Sequence, residues 1–361
     1  MSSILISGGL LVTVDKRRRV IENSAVRIEG SRITEVGKLT ELRHEPRAEF
    51  EINAKDTVIF PGLIDTHVHL AQALLRGCAD DTSLIDWLQK YVWPLQGNFN
   101  EADGKASAEL CLLEMLKSGT TTFLESLLHT RYGFDGIARS VDTSGMRGIL
   151  SKTVMSLPAY GSTGGIMHPG MVEDGETCLR EVEDYFKHWN GKANDRLRVW
   201  YGARSLGACT PELYKQIAEG AKRLNTGVTM HLNEVREDAS YTEKEFAKLP
   251  AEFMDEVGLV GPNVVYAHGV WLTEKEWRIL SSKGANVAHC PASNMKLASG
   301  IAKVPEMLHH GVNVALGCDG GPSNNCYDMI RELKLASLLQ KARLLDPLVM
   351  DAETVLEMAT I

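Results

Sequence analysis

Residues 61–69 read PGLIDTHVH, an apolar run that opens on a proline and ends in two histidines one residue apart. Side chains along a strand alternate between faces, so His67 and His69 point the same way, and Asp65 shares their parity. Two imidazoles presented side by side can grip one ion. Seven further runs of similar texture follow: TTTFLES (120–126), RGILSKTVMS (147–156), RVWYGARS (198–205), GVTMHLNE (227–234), VVYAHGV (264–270), ANVAHCP (285–291) and NVALGCDG (313–320).

Helix-period stretches lie between them, such as 102–119, 175–190, 210–225 and 273–284, several closing on Gly or Asn after a basic residue, a helix-stop signature. Apolar strands alternating with helices predict an α/β fold with a parallel sheet, and eight such units predict a closed (β/α)8 TIM barrel over residues 59–361. Counting alone leaves an open doubly wound sheet as the alternative.

Four more polar residues stand at the carboxyl ends of these runs: His231 and Glu234 on the fifth, His268 on the sixth and Asp319 on the eighth. A parallel barrel gathers those ends on one face, where barrel enzymes build their sites. Any one histidine there has packing as its plain explanation. The joint pattern does not, because buried polar side chains need partners. Imidazole and carboxylate ligands suit one Zn2+ ion, with Fe2+ or Mn2+ as alternatives, and a catalytic site keeps a position open for water. Glu234, leaving the strand three residues after His231, is the candidate acid.

Upstream, 4–15, 24–37 and 48–60 read as short strands parted by Gly, Asn and charged turns, a small N-terminal β domain over residues 1–58. The chain has 361 residues, 44% of them hydrophobic and 24% charged, and no apolar run of bilayer-spanning length. Its basic cluster at 16–19 follows the first apolar stretch, the wrong order for a secretory signal, so a cytoplasmic protein is expected. A net charge of −8 with scattered basic residues argues against a nucleic acid polymer as partner. Seven cysteines without a C-x-x-C pair argue against a disulfide framework or zinc ribbon. Residues 156–175, rich in Gly and Pro, are expected to loop over the barrel mouth.

PGLIDTHVH, HLNE, AHGV, HCPASNMKLASG (289–300) and GCDGGPSNN (317–325) together resemble the amidohydrolase superfamily, in the branch of methylthioadenosine/S-adenosylhomocysteine deaminases, guanine deaminases and triazine chlorohydrolases. LLRGCADDTSLIDWLQKYVWPLQG (74–97) is similar to the nucleoside deaminases in particular. The resemblance implies that His67, His69, His231 and Asp319 bind the metal and that Glu234 and His268 flank the substrate. Asp319 would take a proton from the attacking water, His268 would bond the developing oxyanion, and Glu234 would serve the ring nitrogen. It implies a small heterocyclic substrate, with hydrolytic deamination as the leading reaction. Removal of chloride or an alkylamino group from a triazine, or an inactive binding protein, are the alternatives. Homo-oligomers are common in such a family, although no interface can be read.

Two departures stand out. The nucleoside deaminases carry a Trp and, nine residues later, a Glu that grips ribose hydroxyls; here the pair is Trp87 and Gln96, and an amide lacks the charge-assisted acceptor. Family members also continue beyond DAETVLEMATI (351–361) with strands that complete the small β-sandwich, so that layer is expected to be incomplete. Binuclear relatives use a carboxylated lysine on the fourth strand, where RVWYGARS has none; Lys152 stands on the third, with a structural or solvent role. One metal is therefore expected. Cys290 and Cys318 have the opposite parity to the site residues beside them and are expected to face away. Asn294, Lys296, Ser323 and Asn324 are expected to brace loop backbone, and His309 and His310 to close a helix. His129, His168, His188 and His44 have no partner spacing.

Overall fold

The computed structural model describes residues 3–42, 47–158 and 167–361, so His44 and the middle of the 156–175 loop lie outside the described residues. The chain divides into two compact units, residues 1–62 with 360–361, and residues 63–359.

In the first unit, β1 (Ser3–Ser7) pairs antiparallel with β4 (Ser24–Glu29) and parallel with β6 (Phe50–Asn53), and β4 pairs with β5 (Arg32–Lys38). The β4–β5 hairpin turns on Gly30, whose φ of 61° belongs to the region that glycine enters without steric cost. A second, three-stranded sheet holds β2 (Leu10–Val12) between β3 (Val20–Ile21) and β7 (Val58–Ile59). Strand β6 stands at the edge of its sheet with Phe50 and Ile52 half exposed.

The second unit is the barrel. Its strands are β8 (Leu63–His69), β9 (Thr120–Leu128), β10 (Arg147–Val154), β11 (Leu197–Ala203), β12 (Val228–Leu232), β13 (Val264–His268), β14 (Asn286–His289) and an eighth in two pieces, β15 (Asn313–Leu316) and β16 (Asp319–Gly320). Neighbours pair in parallel in sequence order; β15 pairs with β14 and β16 pairs with β8, so the eighth strand closes the ring and excludes the open sheet. Thr66 Oγ1 donates to the Leu316 carbonyl at 2.8 Å across that seam.

The helices begin where local chemistry says they should. Asn100 and Asp103 form a capping box for Glu101–Lys117, Thr210 caps Pro211–Leu224, and Thr273 with Glu276 caps Glu274–Lys283, which stops at Gly284 in the left-handed region. Two apolar clusters result. The larger lies between barrel and helices. The smaller, at the mouth, joins Leu84, Trp87, Leu88 and Trp93 to Met155, Met167, Met171 and Leu297. The described flanks of the 156–175 loop are stapled together by Glu173 N donating to the Met155 carbonyl at 3.0 Å and Met167 N to that of Pro158 at 3.2 Å.

Candidate metal centre and active site

Four of the barrel strands deliver polar residues at their carboxyl ends, and on three of them the backbone there leaves the regular strand conformation. His268 and Asp319 have φ of 76° and 66°, and Asn233, between His231 and Glu234, has 52°. Non-glycine residues in this region store about 1–3 kcal/mol of strain and cluster where a side chain must be aimed. At Asn233 the strain is held by its amide, which donates to Glu276 Oε1 at 3.1 Å, while Glu234 N donates to Asp238 Oδ2 at 2.9 Å. The turn lifts Glu234 off the strand and into the site.

Five buried donors converge. His67, His231, His268 and Asp319 each offer an atom such that all lie within 4.8 Å of one another. His69 joins them, its Nε2 3.1 Å from Asp319 Oδ1 and 3.3 Å from His231 Nε2. His67 Nε2 lies 3.4 Å from the same Asp319 oxygen. Ligands about 2.0–2.1 Å from a tetrahedral zinc lie about 3.4 Å from each other. The observed separations have that spacing.

Hydrogen bonding alone leaves the centre unsatisfied. Both ring nitrogens of His67 and the Nε2 of His268 are buried without a hydrogen-bond partner, and two imidazole Nε2 atoms that face each other can share only one proton. An unpartnered buried polar atom costs about 1–3 kcal/mol, and at His67 Nε2, beside the Asp319 oxygen, a coordinated cation removes that cost. His231 Nδ1 lies 2.9 Å from the Arg204 carbonyl and 3.1 Å from Arg204 Nη1, and it cannot serve both. A cation in the centre needs Nε2 bare, so Nδ1–H donates to the carbonyl. The residues present fit one metal ion.

Electrostatics separates the acids. Burial would push Asp319 up, but the close approach of His67 and His69 holds the carboxyl well below its usual range. Burial raises Glu234 well above the carboxylate range, and the Asp319 and Asp238 charges add to this. Burial also lowers His67 and His231, the latter further depressed by the Arg204 cation, so both rings are neutral. Asp65 stands behind them, receiving His67 N at 3.2 Å and Cys318 N at 3.0 Å, and burial raises it to about 7. It braces the strand ends and lies outside the four-donor group.

Trp87 and Gln96 are both buried in the segment after β8. Trp87 packs in the mouth cluster, and Gln96 Oε1 accepts from Gln72 Nε2 at 3.2 Å. Gln72 in turn sits against Gly320 and His69, since a Cβ on Gly320 would collide with its Oε1. Gln96 thus bonds directly to the residue that packs against Gly320 and His69.

The mouth loops sort differently from expectation. Ser323 bonds the Gly320 backbone, Asn324 the Cys318 carbonyl and Lys296 the Pro322 carbonyl, all bracing backbone. Asn294 does not: its amide Nδ2 lies 3.0 Å from His268 Nδ1, and its neighbour Ser293 donates to Asp319 Oδ2 at 2.6 Å. Serine and asparagine give no spacing signal in one sequence, so these contacts and the one from Gln72 escape a reading that ranks metal-competent residue types. Arg204 was visible at the end of its strand and was passed over for the same reason. Cys318 faces away, toward Met329, and Lys152 is buried against Glu173 and Glu181.

Residues 58–361 match the family model for the amidohydrolase family. A 5'-deoxyadenosine deaminase of Methanosarcina mazei is 36% identical over 361 residues, covering 100% of this chain and 79% of the relative. A 5-methylthioadenosine/S-adenosylhomocysteine deaminase of Thermococcus sibiricus is 38% identical over 359 residues, covering 99% and 79%. Among solved structures, an adenosine deaminase from Xanthomonas campestris with bound zinc superposes with a TM-score of 0.89 at 26% identity, covering 98% of this chain and 77% of that one. Barrel, converging donors and sequence similarity agree: the chain belongs to the amidohydrolase family.

Proposed function

We propose that this protein is a metal-dependent hydrolase acting on carbon–nitrogen bonds outside peptides, and that it deaminates a purine-like nitrogen heterocycle, water and amine giving ammonia and a keto product. The observation that carries the reading is the placing of two buried carboxyls on either side of one histidine cluster, Asp319 Oδ1 3.1 Å from His69 Nε2 and Glu234 Oε2 3.5 Å from His268 Nε2, with the histidines pushing the first down and burial pushing the second up. Two acids pushed apart by their surroundings divide the roles of base and acid. The deaminase names of the relatives support the same chemistry.

His67, His69, His231 and Asp319 would hold the ion, with zinc the favoured metal and iron or manganese the alternatives. When bound, such an ion makes a water nucleophilic near neutral pH. Asp319, ionised, accepts the proton that the attacking water gives up and returns it to the departing ammonia. Glu234 supplies a proton to the ring nitrogen beside the attacked carbon, so that carbon becomes electrophilic without a free ring anion, and it regains one from the new hydroxyl as the keto group forms. His268, whose Nε2 lies 3.5 Å from Glu234 Oε2, hydrogen-bonds the oxygen as charge gathers there. Trp87 and Gln96 would bound the pocket that receives the ring and its substituent. The fourth barrel strand offers no lysine for a second ion, and the buried Lys152 is committed to Glu173.

The test is ammonia release by zinc-reconstituted protein, assayed against adenosine-type nucleosides, free purines, pterins and aminotriazines. The expected result is metal-dependent ammonia from a purine-like member, reduced about 10²- to 10⁴-fold in Glu234→Gln. Release of chloride or alkylamine without ammonia, or silence from a folded and zinc-loaded chain, would overturn the reading.

A further inference from the structure

One short segment touches all three acid–base groups. Helix Pro291–Lys296, with the three residues after it, follows the seventh barrel strand. From it Ser293 Oγ donates to Asp319 Oδ2 at 2.6 Å, Asn294 Nδ2 meets His268 Nδ1 at 3.0 Å, and Ser299 Oγ donates to Glu234 Oε1 at 3.4 Å. All three side chains are buried. The segment is itself pinned: Ala292 N donates to Glu332 Oε2 at 3.2 Å, Ser299 N to the Asn294 carbonyl at 2.9 Å, and Lys296 Nζ to the Pro322 carbonyl at 2.7 Å.

We propose that residues 291–299 form a single positioning element for the acid–base groups, and that within it Asn294 makes His268 a hydrogen-bond donor at Nε2 and bars it from the metal. The inference rests on the deaminase reading for its catalytic meaning, and on hydrogen-bond chemistry alone for its structural claim.

The argument is one of tautomers. An amide –NH2 only donates, so the Nδ1 it meets carries the lone pair, and the single proton of a neutral imidazole then sits on Nε2. A nitrogen that bears a proton has no lone pair for a cation. The partner ring receives the opposite instruction. Behind His231 the Arg204 carbonyl lies 2.9 Å from Nδ1, nearer than Arg204 Nη1 at 3.1 Å, and it accepts a proton carried on Nδ1, which leaves Nε2 bare. The two rings lie 5.4 Å apart, centroid to centroid, and both belong to the four-donor group. Distance therefore does not tell ligand from donor, but the atom behind each ring does. Removing His268 from the five converging residues leaves His67, His69, His231 and Asp319.

The same bond serves the other end of the ring. Nε2 faces Glu234 Oε2 at 3.5 Å, and Ser299 holds the other oxygen of that carboxyl, so the segment fixes both groups that border the reacting atoms from opposite sides. Ser293, on the oxygen of Asp319 that the histidines do not contact, fixes which oxygen points to the centre. None of these three residues reaches the reacting atoms itself, and each acts through its partner.

The experiment is nitrogen-15 NMR of the full chain labelled at histidine, without metal and with zinc, in the wild type and in Asn294→Asp. The expected wild-type spectrum shows His268 protonated at Nε2 and bare at Nδ1 in both states. A carboxylate only accepts, so Asn294→Asp is expected to move the proton to Nδ1, expose Nε2 and draw His268 into the zinc signature. Its kcat should fall about 10- to 100-fold, the usual cost of an altered outer partner, with KM nearly unchanged. A wild-type His268 protonated at Nδ1, or a variant whose tautomer stays put, would overturn the proposal. If Asn294→Asp fails to fold, the wild-type spectrum decides alone. Because that spectrum needs no substrate, failure of the deaminase assay and failure of this inference are read separately.

Discussion

The barrel buries carboxylates beside two quite different sets of nitrogens. At the ends of β8, β12, β13 and the eighth strand, Asp319 stands among four histidines, and neither ring nitrogen of His67 has a hydrogen-bond partner. On β10, Lys152 Nζ lies 2.5 Å from Glu173 Oε2, 3.3 Å from Glu181 Oε2 and 2.7 Å from the Thr153 carbonyl, with the Cys178 thiol alongside. Burial would push the Lys152 ammonium down, yet the Glu173 and Glu181 charges hold it above its ordinary value, and the lysine in turn holds Glu173 below its own. In one cluster a lysine balances the carboxylates; in the other the buried donors around Asp319 converge on a space that fits an ion.

That contrast breaks most visibly at Lys152. Lys152→Met strands the mostly buried Glu173 carboxylate, and losing one partner of a buried pair costs about 3–5 kcal/mol. A clear fall in melting temperature is therefore expected while the zinc taken up on reconstitution, measured by elemental analysis on the folded fraction, matches that of the wild type. Lys152→Met with Glu173→Met should recover much of the stability, since well-packed apolar replacements of a buried pair are often neutral. Loss of zinc in the single variant would erase the distinction between the clusters.

A third way of burying a carboxyl sharpens the comparison. Glu125 and Glu332 have neither a cation nor a metal, and burial raises each to about 8. Each is neutralised by a proton. Their folded-state pKa values exceed the unfolded ones, so the stability they contribute is fully present below about pH 4.3 and is lost as pH rises through about 8. The slope approaches 1.4 kcal/mol per pH unit for each group between those limits. Melting temperature is expected to fall from pH 6 to pH 9, and Glu125→Gln should flatten the fall. A flat wild-type profile would place both carboxyls as ions.

How much of this was legible follows from what a sequence encodes locally. Strand parity placed His67 with His69 and turned Cys318 outward, because alternation is a property of the backbone itself. Barrel topology then carried His231, His268 and Asp319 to the same mouth. Eight units pointed to a closed ring and left an open sheet as the alternative; the structure decides between them through an eighth strand that breaks at Gly317–Cys318 and pairs with different neighbours on either side. The use of Asn294, which looked like a loop brace, was not readable: nothing in PASNMKL says that its amide meets a histidine 26 residues earlier. Long-range side-chain partners are written in the fold, and the sequence shows only the residue types on offer.

The smallest effect concerns the mouth, where the apolar cluster around Trp87 meets the polar pair Gln72–Gln96. Gln96 offers a neutral acceptor, already engaged by Gln72 Nε2 at 3.2 Å. Gln96→Glu keeps that acceptor and adds a charge, and bonds to charged groups are worth about 1 kcal/mol more than neutral ones. If this position faces a ribose diol, kcat/KM for ribosylated purines should rise about fivefold while that for free bases stays level, measured by ammonia release on matched pairs. An equal change for both would mean that Gln96 acts on the ring or on Gln72. No change for either would assign it, like Lys152, to a structural role in the barrel.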